Sequence, residues 1–152
     1  MERAMTSKRK IVQDIIRGIH QDIEGYNQLK VLIIRQRKLM QRRDNSELER
    51  HNREQSYLCE QLQARAGKRS QELISLGFAG DTNGIELLIT KLPTQLAKQM
   101  DTLWNSLVLL VRESQAINDD NGNFLVDQQV VISGLLNQNK EINIDYGMPV
   151  PS

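Results

Sequence analysis

Advancing 100° per residue along the chain, Val12, Ile15, Ile16, Ile19, Ile23, Tyr26, Ile33 and Ile34 fall within an arc of about 100°, the width of the buried stripe on an amphipathic helix. The spacing predicts one long helix over residues 7–42, about 54 Å in length, with Thr6 or Ser7 able to cap its start. Asp44-Asn45-Ser46 then offers capping oxygens, and Glu47 and Glu49 place negative charge where the helix dipole favours it. A second helix is expected to bury Leu48, Gln55, Leu58, Cys59, Leu62, Ala66 and Leu73 and to end near Gly77. So short a turn makes the two helices antiparallel neighbours. A single helix bent at Asp44-Asn45 is the other arrangement this stretch allows.

The stretch GFAGDTNGIELLITKLPTQ holds three glycines and a proline, which predicts a loop, a short helix from about Ile85 to Lys91 and a restart near Pro93 or Thr94. In the third long helix Leu96, Met100, Leu103, Leu107, Leu110, Val111, Ser114 and Ile117 share a face, with Trp104 at its border. Residues 118–123, Asn-Asp-Asp-Asn-Gly-Asn, carry no apolar side chain, and a mid-helix glycine costs about 1 kcal/mol relative to alanine, so the helix is weakest there. Beyond this point Leu125, Ile132 and Leu136 lie close together on a helical wheel, with Val131 and Leu135 beside them. The tail KEINIDYGMPVPS has two prolines and no periodic pattern. The fourth stripe either completes a bundle within the chain or, held on a polar connection, lies in a partner's groove. The sequence thus divides into a helical scaffold, residues 1–117, and a C-terminal amphipathic segment with its tail, residues 118–152, in an all-α fold built on a long antiparallel hairpin.

Composition agrees with thin helical packing: aromatic residues are 4% of the 152, and 20 basic side chains nearly balance 19 acidic ones. No overall charge points to nucleic acid or an anionic membrane. The longest apolar run, Leu107 to Val111, is far short of the roughly twenty residues of a membrane span, and no signal-peptide core follows MERAMTSKRK. A cytoplasmic protein is expected.

Candidate chemistry is sparse. Cys59 has no second cysteine to pair with, and His20 and His51 do not stand at zinc spacing with it. No phosphate loop or nucleophile elbow is present, so neither an enzyme nor a cofactor is expected. Residues 118–123 superficially suggest a calcium loop, but the twelfth position, which needs a bidentate glutamate, is Gln129. The run RQRKLMQRR, Arg35 to Arg43, carries five positive charges in nine residues. It reads as solvated basic residues near a helix C-terminus, as a phosphate-contacting patch of a nucleic-acid binder, or as a dock for an acidic partner face.

Two groups of residues also resemble a known family. SQELISLGFAGDTNGIELL, Ser70 to Leu88, is similar to the segment where flagellar export chaperones of the FlgN type carry an Arg, a Leu-Leu-like pair, Leu-Gly, and then Asp and Gly before the next helix. Asn118 with Asn121-Gly122, the run containing Leu125 and Leu135, and Tyr146-Gly147 follow in the family's order and spacing, so the resemblance covers residues 8–147. Met148-Pro149-Val150-Pro151 departs from the family, which often has Gly shortly after Tyr-Gly.

The resemblance implies a non-enzymatic chaperone that binds the C-terminal helices of the hook-filament junction proteins FlgK and FlgL, keeps them from assembling early and brings them to the export gate. It assigns the substrate contacts to Asn121, Leu125, Ile132, Leu135 and Leu136, and contact with the gate protein FlhA to Tyr146 and Gly147. The export ATPase is a further partner the basic run could meet, and self-pairing of the empty protein through its apolar stripe stays open.

Overall fold

The structure, a computed structural model, describes residues 2–122; these form four α-helices and contain no strand. Helix α1 spans Glu2–Arg42, α2 Asn45–Ser75, α3 Thr82–Lys91 and α4 Thr94–Asp120. α1 begins at Glu2, so Thr6 and Ser7 lie inside the helix and do not cap it. With neither glycine nor proline among residues 2–7, nothing there opposes helical backbone.

The break between α1 and α2 is sharp. Arg43 takes a left-handed conformation, φ 57°, while its N–H donates to the Met40 carbonyl and that of Asp44 donates to Leu39. This pair of bonds closes the end of α1 as a Schellman cap. Asp44 then caps α2, its carboxylate accepting from the Glu47 N–H at 3.2 Å. The continuous bent helix is thereby excluded. Asp22 on α1 meets Arg65 and Arg69 on α2, and the Leu32 carbonyl meets His51, so residue numbers run in opposite directions and the hairpin is antiparallel.

A second Schellman cap ends α2: Gly77 has φ 93°, its N–H donates to Ile74, and that of Phe78 donates to Leu73. Phe78 packs on the core, the apolar contact that commonly accompanies this cap. Ser70 Oγ donates to the Gly80 carbonyl at 2.7 Å, and Asp81 caps α3 by accepting from the Gly84 N–H at 3.1 Å. The first turn of α3 lies so close to the preceding loop that a Cβ on Gly84 would stand 1.7 Å from the Ala79 carbonyl oxygen. Pro93 opens α4, where its missing N–H costs nothing.

Lys30 pairs with Glu113 and Arg37 with Asp120, two contacts displaced by the same seven residues on each helix, so α4 runs parallel to α1. The bundle is up-down-up, with α3 at the lower end. Its core follows a three-four spacing: Val12, Ile15, Ile19, Asp22, Tyr26, Leu29, Ile33 and Gln36 on α1, and Met100, Trp104, Leu107, Val111, Ser114, Asn118 and Asn121 on α4 are all buried. Ile34, expected on the stripe, is 48% exposed, whereas Leu29 is fully buried.

Candidate functional site

The site expected from sequence begins where α4 ends, and the packing there is polar. Beyond Val111 the side of α4 that faces α1 carries Ser114, Asn118 and Asn121, each buried. Asn121 donates from Nδ2 to the Ile33 carbonyl at 2.8 Å and to Gln36 Oε1 at 3.2 Å. The same Gln36 oxygen accepts from Gln55 Nε2 at 3.4 Å, and Gln36 Nε2 donates to Asn52 Oδ1 at 2.6 Å. His51 Nε2 lies 2.7 Å from the Leu32 carbonyl and 3.0 Å from Gln55 Oε1. With both neighbours acting as acceptors, Nε2 carries the proton of the ring.

Five polar side chains from three helices are therefore joined in one hydrogen-bonded cluster. Such a cluster contributes little net stability, but it penalises other registers, because sliding α4 by one turn would part Asn121 from both of its acceptors on α1, leaving its amide buried without a partner. Gly122 then takes a left-handed conformation, φ 85°, with its N–H donated to the Asp119 carbonyl, and so ends the helical path of α4. The end of α4 is thus fixed by Asn121 and Gly122. The Asn/Asp stretch expected to be the weakest part of the helix is helical through Asp120, held by the burial of Asn118 and Asn121 against α1.

A second polar cluster ties the lower half together. Asp22, 1% exposed, accepts from Arg65 Nε at 2.5 Å and from Arg69 Nη1 at 2.7 Å. The Arg69 guanidinium also lies over the Trp104 ring, 5.5 Å from its centroid, so one side chain of α2 bridges α1 and α4. Burial, reinforced by the Asp22 charge, pushes the neighbouring Tyr26 hydroxyl well above its ordinary pKa. Of the hydrogen-bonded members of these clusters, the helical stripes read from the sequence included only Gln55. The signal that could have found them is the three-four spacing itself, which continues through Asp22, Gln36, Asn118 and Asn121 without interruption.

The basic run lies on the last turns of α1, beside the exit of α4. Gln36 and Leu39 point inward, while Arg35 and Arg37 are about half exposed and approach Glu47 at 3.9 Å and Asp120 at 4.0 Å. Ion pairs this long and exposed add little. Of the residues assigned by resemblance, Asn121 is in the bundle; Leu125, Ile132, Leu135, Leu136, Tyr146 and Gly147 lie outside the described residues. Among the described residues no helix is long and apolar enough to cross a membrane, and no group of three His, Cys, Asp or Glu could hold a metal ion.

Both clusters hold helices in place. Residues 5–147 match the family described as FlgN protein. The chain belongs to the FlgN family. No curated protein and no solved structure matches it. FlgN proteins are flagellar export chaperones. The match runs from the first turns of α1 past Tyr146, so it takes in nearly the whole described bundle together with the C-terminal segment. Within the bundle, the stretch that resembled the FlgN pattern, Ser70 to Leu88, is the capped elbow from α2 to α3, which accounts for its Leu-Gly, Asp and later Gly in purely structural terms.

Proposed function

We propose that this FlgN-family chaperone carries the hook-filament junction proteins FlgK and FlgL in the cytoplasm. It covers their terminal helices with the apolar stripe of residues 125–136 and delivers them to the export-gate protein FlhA. The observation that carries this reading is the family match through residue 147, which spans a bundle with its own core and a C-terminal stripe on one chain. Junction proteins assemble through amphipathic helices, so a free subunit presents apolar surface that associates wrongly unless it is covered. A covering helix that orders only on binding loses part of its contact energy to ordering, which keeps the complex reversible.

Leu125, Ile132, Leu135 and Leu136 are the proposed substrate contacts, and Asn121 contributes by fixing where that stripe starts. Tyr146, followed by Gly147, is the proposed contact with FlhA: an aromatic ring fills a small pocket while its hydroxyl finds a hydrogen bond. The test is calorimetric titration of the full chain with purified FlgK and FlgL. Substitutions that place a charge in the stripe, Ile132→Asp and Leu135→Asp, are expected to abolish binding, and Tyr146→Ala to leave it intact while weakening capture by the cytoplasmic part of FlhA. Unchanged FlgK and FlgL affinity in both aspartate variants would sink the proposal.

A further inference from the structure

At the end of the bundle opposite the α4 exit, a groove of about 460 Å³ opens between the start of α1 and the junction of α3 with α4. Val12, Leu92, Pro93 and Leu96 give it a predominantly apolar wall. Lys8, Arg9 and Lys91 stand around it, all exposed and none with an ion-pair partner among the described residues. An apolar trough ringed by three positive charges fits an extended segment whose apolar side chains are flanked by carboxylates.

The chain contains one. At a period of two, residues 141–146 alternate: Ile142, Ile144 and Tyr146 fall on one side of an extended strand, and Glu141, Asn143 and Asp145 on the other. We infer that residues 141–146 of the chain's own tail dock in this groove, the apolar side chains inward and the two carboxylates against Lys8, Arg9 and Lys91. The reach is sufficient. Asn121 ends α4 beside Gln36, and from there to Val12 along α1 is about 36 Å. Residues 123–141 span about 60 Å when extended, and about 40 Å with 125–136 helical. With the tail docked, Tyr146 is covered by the chaperone itself. The inference rests on the groove and the tail sequence and stands whether or not FlgK and FlgL are the cargo.

Hydrogen exchange of the intact chain, read by mass spectrometry at two protein concentrations, tests it. Amides of residues 141–146 are expected to exchange about fivefold or more slowly than in Leu96→Glu or Lys91→Glu, independently of concentration, with Trp104 emission confirming that each variant is folded. Lys91→Glu combined with Asp145→Lys is expected to recover the slow exchange. Equal exchange in the wild type and both single variants overturns the inference. So does protection that grows with protein concentration, which would place the tail in a second copy.

Discussion

Asn121, the last buried residue of the α4 end, donates its side-chain amide to the main-chain carbonyl of Ile33 on α1 across 2.8 Å, joining residues 88 positions apart. The Ile33 carbonyl has a second lone pair beyond its helical bond, so the contact adds to the helix without breaking it. Asn121→Ala is expected to cost about 1 kcal/mol, the net worth of a buried hydrogen bond. Asn121→Asp should cost more, since it sets a carboxylate against a carbonyl oxygen. Hydrogen exchange should quicken over residues 114–121 in both variants while the α1–α2 hairpin keeps its protection; uniform loss across all helices would show that the bond supports the whole bundle and not the α4 exit.

The Asp22 cluster has larger consequences. Removing the carboxylate strands Arg69, 5% exposed, as a buried charge with no counterion. Asp22→Ala should therefore lower stability by about 3–5 kcal/mol, and replacing both partners, Asp22→Leu with Arg69→Met, should recover a large part of it. Urea denaturation of the three proteins checks this. A double variant no more stable than the single one would mean that Arg65 and Trp104 depend on Arg69 for more than its charge.

Alkaline pH acts on the same region. The Tyr26 hydroxyl is held above its ordinary value of 10.0, chiefly by burial and then by the Asp22 charge. The folded chain keeps this phenol neutral where the unfolded chain ionises, so the contribution is complete below about pH 10 and is lost as pH rises beyond it. The fall in melting temperature between about pH 9 and 11.5 should be visibly shallower in Tyr26→Phe. A parallel decline in the two proteins would locate the alkaline weakness elsewhere.

How far the fold was legible follows from how the stripe was counted. An apolar pattern that repeats every seven residues drifts about 20° per heptad on a fixed 100° wheel. A single arc set by Val12 to Ile19 therefore takes in Ile34 and leaves out Leu29 two heptads later, and the structure buries Leu29. Caps were readable because their chemistry is local: Asp44 and Pro93 stand at the helix starts their side chains favour, and Gly77 closes α2. Arg43 was not readable as a left-handed residue, because nothing in its side chain favours that conformation. The buried Asp22, Gln36, Arg69 and Asn118 were passed over as core positions since a count of apolar residues cannot see a polar one. For the site, the sequence pointed to Asn121 but not to its partners on α1, which are far away in the chain.

Glycines supply a paired test of the elbow. Gly84→Ala would drive a methyl into the Ala79 carbonyl and should cost about 2–3 kcal/mol or more as the loop is forced open. Gly18, in the middle of α1, has nothing within 4 Å of an added Cβ, so Gly18→Ala should stabilise by up to about 1 kcal/mol. Thermal unfolding should move in opposite directions for the two; a stabilising Gly84→Ala would contradict the close approach of α3 to the loop.

The proposed division of labour between bundle and C-terminal segment can be tested with a single side chain. Trp104 is the chain's one tryptophan, 5% exposed, and the end of α4 lies about 25 Å further along the helix axis. Its emission therefore reports the packing of the core around it. The core residues from Val12 to Val111 pack on one another, so deletion of residues 123–152 is expected to leave the emission maximum in place and the stability within about 1 kcal/mol, even as binding of FlgK and FlgL is lost. Were the emission to shift red on deletion, the C-terminal segment would be part of the bundle's own interior, and a helix already buried there has no apolar face left to offer a junction protein.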